Sequence, residues 1–184
     1  MNKTKHEKEK KGGSPYRWAL TAFLMAVTIS AVLSLASESL LGGAGLAVAL
    51  LILLLFIGLG ILFDIMGTAV MSADQKPFHS MAAHKVKGAR QALMLLRNAD
   101  RVSSICNDVV GDICGIVSGT TTTVIVVQLQ AIFDFIPALV LSVGLTALVS
   151  GFTIGGKALG KTFAMRSSTK VVYFAGRVLS LFHR

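Results

Sequence analysis

Residues 44–63 read AGLAVALLILLLFIGLGILF, twenty consecutive residues without a charge. A helix of that length rises ~30 Å, the thickness of the hydrocarbon core of a bilayer, so the stretch reads as a transmembrane helix. It continues past Asp64 to about Met71, and Gly42, Gly43 and Gly45 mark a turn before it. The composition agrees. Hydrophobic residues make up 53% of the 184 and charged residues 15%, where a soluble domain carries about a quarter charged. Mean hydropathy is +0.70. These values exclude an ordinary soluble globule.

Working outward from this span, the chain divides into further apolar runs. Residues 1–17 form a basic tail, broken by Gly12, Gly13, Ser14 and Pro15. Trp18 to Ala36 is an apolar run that reads as a first span with Trp18 at the interface. The alternative is a signal peptide with its cleavage site near Ala36, although the run is longer than a usual signal core. Residues 73–102 are polar and basic, with helical periodicity in Met81, Val86, Ala89, Leu93 and Leu96. They predict an amphipathic helical hairpin turning near Asn98. A third span runs from about Ser103 to Gln128. Pro137 suits the first turn of a fourth span over residues 135–154. Residues 168–182 form a last amphipathic helix suited to the membrane interface. The fold class is all-α integral membrane: four transmembrane helices within residues 18–166, a cytosolic hairpin at 73–102 and a juxtamembrane helix at 167–184.

The charges orient these spans. The net charge is +9, and the eighteen Lys and Arg fall six in the tail, none near 38–44, six in 73–102, none in 129–134 and six after 155. By the positive-inside rule, this alternation predicts a multi-pass protein of the inner (plasma) membrane with both termini cytoplasmic. The basic runs suit membrane lipid headgroups. No aromatic–basic pattern accompanies them, so nucleic acid is not an expected partner.

Acidic residues stand out against this background. Asp64, Asp108 and Asp112 lie in or at the edge of predicted spans, at a similar depth near the cytosolic side. A central Asp costs roughly 2.5–3.5 kcal/mol to insert, so such residues face a protein interior or water. Asp108 and Asp112 are four apart and share a helix face. Gly111, Gly115 and Gly119 lie beside them, and Gly60, Asp64, Gly67 and Met71 form a stripe on the second span. Contact between the two glycine-lined helices would bring Asp64 toward Asp108 and Asp112, with Asn107, Ser104 and Thr68 adding neutral oxygens. Such oxygens suit a hard cation, Mg²⁺ first. Structural readings remain open: the two Asp can satisfy a helix N-terminus, and Asp64 can pair with Arg101 or Lys157. His79 and His84 read as interface residues, and Thr120 to Thr123 as hydroxyls that either bond back to their helix or line a cavity. Cys106 and Cys114 lie eight residues apart in one helix, ~12 Å, too far for a disulfide. No catalytic motif occurs, so an enzyme is not expected.

The order of these features resembles the transmembrane domain of the CorC/cyclin M magnesium transporter family. The residues that carry the resemblance are Phe63-Asp64-Ile65-Met66-Gly67-Thr68-Ala69 for a GSETA-like motif, Cys106-Asn107-Asp108 for a GNN-like motif and Thr153-Ile154-Gly155-Gly156-Lys157 for GEIxPK. The basic hairpin lies between the first two. The likeness covers about residues 50–182. Thr68, Asn107 and Lys157 carry over residue by residue. The motif's Ser and Glu are Met66 and Gly67 here, its second Asn is Asp108, and the Glu and Pro of the last motif are Thr153 and Gly156. The CBS domains that usually follow in the family are not within the 184 residues. The resemblance implies a homodimer that transports a divalent cation. The residues expected to hold the ion are Asp108 and Asp112, assisted by Asn107, Thr68 and Asp64. The alternative is a non-transporting membrane scaffold that binds a partner through its hairpin and last helix.

Overall fold

The structure is a computed structural model, and it describes residues 15–41, 43 and 45–182. The basic tail as far as Ser14, the terminal Arg184 and the side chain of Trp18 lie outside the described residues. Every regular element among the described residues is helical. Helices α1 (Pro15–Leu41), α2 (Leu46–Ser72), α3 (Lys76–Ala83), α4 (Ala89–Arg97) and α5 (Ala99–Ser104) lead to a π-helical turn (Ile105–Val110). Then come α6 (Gly111–Ile132), α7 (Ala138–Arg166) and α8 (Ser168–Phe182). Four helical runs are long and apolar enough to cross a membrane: Ala19–Ser39, Leu46–Ser72, Ala99–Ile132 and Ala138–Arg166. The chain is built as a multi-pass membrane protein.

Helix α2 is apolar on every side, and a helix of that kind belongs in the middle of a bundle. It touches α5, the π turn, α6, α7 and α8. On one side Phe56 packs with Val109, Ile113, Cys114 and Val117, and Ala26, Ile29 and Leu33 of α1 cover that cluster. At the far end Ala49 and Leu53 meet Leu41 and Ile125. Helices gain little from hydrophobic association inside lipid, so close backbone approach carries the packing. A Cβ on Gly160 of α7 would lie 2.8 Å from Cγ1 of Ile65, and Gly156 lies directly under the Cδ1 of Ile61.

Three boundaries differ from expectation. The hairpin turns at His84–Gly88, not near Asn98. Lys85 (φ 55) and Gly88 (φ 87) take the left-handed conformation that reverses the chain between α3 and α4. Asn98 instead marks the break between α4 and α5, and its Nδ2 donates to the Met94 carbonyl at 3.0 Å. The fourth long helix does not stop near Ile154 but runs to Arg166, which puts Lys157 and Lys161 inside it. Pro137 stands one position earlier than expected, as the residue that caps α7.

Helix α8 folds back against the hairpin. Gly88 and Gly176 meet backbone to backbone, since a Cβ on Gly88 would lie 2.7 Å from the Arg177 Cα. Phe78, Ala92, Leu93, Leu96 and Val172 form a core with Ala69, Val70 and Ala164 at the ends of α2 and α7. The hairpin and α8 are thereby fixed to one end of the bundle.

Candidate cation site

The register of α2 against the third span sets the site. A Cβ on Gly60 would lie 3.3 Å from the Cβ of Cys114. Two turns along α2, Gly67 faces Asn107 in the π turn, whose amide fills the space a Cβ would take. The two helices are therefore antiparallel, with Asp64 level with Val110 and Gly111. The π turn closes with the Gly111 amide donating to the Cys106 carbonyl. Such a turn re-aims the side chains it carries, and π turns are frequent at functional sites.

Asp64 is 4% exposed. Its Oδ1 lies 3.9 Å from Lys161 Nζ on α7, and its buried Oδ2 has no hydrogen-bond partner. Across the interface, Asn107 Nδ2 donates to Ser103 Oγ at 3.2 Å, and its buried Oδ1 has no partner either. An unsatisfied buried polar atom costs about 1–3 kcal/mol, and a charged one more. The Lys161 contact is too long for a hydrogen bond and the side chain is 53% exposed, so it returns on the order of 1 kcal/mol or less. Asp64 is thus left short of compensation. Thr68 stands one turn beyond Asp64 on the same face of α2, half-buried.

Asp108 and Asp112 lie elsewhere. Both are exposed, and Asp108 Oδ2 accepts from Ser104 Oγ at 2.9 Å. Asn107 takes the face toward α2, as Cys114 does further along, so the next residue, Asp108, points about 100° away and Asp112 shares the face of Asp108. The expected meeting of Asp64 with Asp108 and Asp112 is therefore not formed. Among the described residues no group of three or more His, Cys, Asp or Glu is placed to hold a metal. The acidic pair instead shares an exposed stripe with Gly115 and Gly119. Those glycines, with Ser118, Thr122, Ser150 and Thr153, line a groove of about 220 Å³ between α6 and α7. Ser118, Thr122 and Thr153 donate to carbonyls of their own helices, so these three present acceptor oxygens toward the groove. Of the four consecutive threonines, Thr122 is the one that lines it.

Lys161, the actual partner of Asp64, was not among the expected partners Arg101 and Lys157. The signal was its position one turn beyond Lys157, hidden by ending the fourth helix too early. Lys157 reaches from α7 toward the start of α6, with its Nζ 3.7 Å from where a Cβ on Gly111 would be. The stretches that include Gly67, Asn107 and Lys157 come from α2, the π turn and α7, and they lie side by side.

A family model, that of the cyclin M transmembrane N-terminal domain, matches residues 50–184. The chain belongs to that family. No curated protein and no solved structure matches the chain. The cyclin M domain is a transporter-type membrane domain associated with divalent cation transport, and its family is not one of enzymes. In this cyclin M domain α1 precedes the matched region and packs on it through Ala26, Ile29 and Leu33. Gly67, which stands at the Glu of the GSETA-like motif, is the residue against which Asn107 rests.

Proposed function

We propose that this cyclin M domain binds and transports a divalent cation, Mg²⁺ first, between α2 and the π turn. The observation that carries the reading is the pair of buried, partnerless oxygens, Asp64 Oδ2 and Asn107 Oδ1, on facing helices. One carboxylate and one amide oxygen, with the Thr68 hydroxyl, would supply about half of an octahedral shell, and the ion would keep waters for the rest. A bound cation offsets both the charge and the missing hydrogen bonds. Asp108 and Asp112 would draw cations toward the bundle by the field of two exposed carboxylates. Selectivity over Mn²⁺ and Ca²⁺ is modest on this reading, because carboxylate and amide oxygens discriminate poorly among hard cations.

The rest of the reading follows from charge and packing. The protein lies in the inner (plasma) membrane with both termini and the hairpin cytoplasmic, where its basic residues meet lipid headgroups. It is a homodimer, and the exposed Gly115 and Gly119 offer a second copy a face for close approach. Flux into proteoliposomes holding a Mg²⁺-sensitive dye tests the proposal. Uptake by the native chain that is lost in Asp64→Asn and Asn107→Ala is the expected result. Equal uptake by all three proteins would refute the site, and no uptake by the native chain would favour a membrane scaffold.

A further inference from the structure

Outside the cation site, a large concave feature lies between the hairpin turn and α8. It is an open cavity of about 660 Å³ lined by Lys85, Lys87, Gly88, Arg90, Gln91 and Ser180, with Ala82, Val86 and Leu181 as its apolar part. Three cations from six consecutive residues border it, and no acidic residue does. None of the three forms an ion pair with another described residue. Like charges gathered on one short turn repel, and the backbone of that turn is held in place by its packing on α8. Lys85 and Gly88 hold left-handed backbone, and Gly88 is pressed against Gly176 and Arg177 of α8. The fold therefore fixes a positively charged cup with hydrogen-bond donors at one wall and aliphatic carbon at another.

From this arrangement we infer that the cavity binds a phosphate-bearing anion. The charge calls for an anion, and Arg90 and the two lysines offer the donors that phosphate oxygens accept. The Gln91 amide adds another donor. The position favours a phosphate attached to a lipid. Helix α8 follows the last span after a single residue, and the hairpin joins the second and third spans, so both walls of the cavity belong to segments packed on one end of the bundle, beside the span ends. Ala82, Val86 and Leu181 would cover the glycerol end of such a ligand. The site is independent of the Asp64–Asn107 interface, and its failure would leave that proposal untouched.

The test is titration calorimetry on the intact chain in neutral detergent. The probes are short-chain phosphatidic acid, short-chain phosphatidylcholine and inorganic phosphate. Two triple variants are compared, Lys85→Gln/Lys87→Gln/Arg90→Gln in the cavity and Lys76→Gln/Arg97→Gln/Lys170→Gln outside it, which remove the same charge from exposed positions. Phosphatidic acid should bind more tightly than phosphatidylcholine. The cavity triple should weaken it about a hundredfold, since each cation near an anionic headgroup contributes roughly a factor of five. The outer triple should change it little. Inorganic phosphate binding as tightly as phosphatidic acid, and weakened by the same triple, would uphold the anion site and assign it to a soluble ligand. Equal loss in both triples, or no loss in the cavity triple, would overturn the inference.

Discussion

The side chain of Asn107 occupies the space that a β-carbon at Gly67 would need, with its Cγ 2.8 Å from that position. Two residues on facing helices thus share one volume. The contact holds a buried amide oxygen without a partner in the same interface as a buried carboxylate oxygen without one. It fixes the register that places Asp64 opposite the π turn, and it rules out any side chain at position 67 while Asn107 stays where it is.

Gly67→Ala should therefore destabilise the protein by about 1–3 kcal/mol, the usual cost of overpacking. Adding Asn107→Gly vacates the volume and should recover most of that loss without recovering any response to Mg²⁺. Chemical denaturation in detergent, run as a double-mutant cycle, checks the first half, and calorimetric Mg²⁺ titration the second. Additive effects of the two substitutions would show that the residues do not share the space.

Lys161 is a tethered cation beside Asp64. Lys161→Gln should lower stability without divalent ions by on the order of 1 kcal/mol, a figure kept small because the lysine is half exposed. It should also raise Mg²⁺ affinity, since the ion no longer competes with an ammonium group for the same carboxylate. Affinity that falls or stays constant would remove Lys161 from the site.

Docking of α8 rests on Gly88 and Gly176. Gly88→Ala meets both a left-handed φ and a backbone 2.7 Å away. It should release α8 from α4 and destabilise by about 2–4 kcal/mol, combining the backbone term with the clash. Hydrogen exchange over Ser168–Phe182 should accelerate in that variant, while exchange in α2 stays slow. Unchanged protection of α8 would contradict the docking.

The proposed topology rests on the clusters of six Lys and Arg that alternate with loops free of Lys and Arg. Single cysteines placed at Gln75 and Lys170, in a background without Cys106 and Cys114, should label only from the cytoplasmic side. Labelling from outside at either position would invert the arrangement.

Much of the architecture was legible in the amino acids, and the reasons are physical. A long uncharged run reads as a span, so the helix Leu46–Ser72 was plain from the twenty uncharged residues 44–63. The family motifs were legible as well, in the order in which the structure sets them side by side. The rotation of the third span was not legible. It is apolar on several sides, so periodicity does not say which face meets α2, and a shift of one residue exchanges Asn107 for Asp108. Nothing in Ile105–Val110 announces a π turn. The hairpin turns not near Asn98 but at Gly88, whose φ of 87° few other residues tolerate, and that glycine is the stronger signal in the segment.

Thermal stability with and without Mg²⁺ tests the central claim most directly, measured on the native chain, Asp64→Asn, Asn107→Ala and Asp108→Asn/Asp112→Asn. A ligand that binds only the folded state stabilises it by RT ln(1 + [L]/Kd), about 2.7 kcal/mol at a hundredfold excess over Kd. The account predicts a rise in melting temperature for the native chain, most of that rise in the Asp108/Asp112 double variant, and none in Asp64→Asn or Asn107→Ala. An equal rise in all four proteins, or a rise abolished only by the Asp108/Asp112 substitutions, would contradict it.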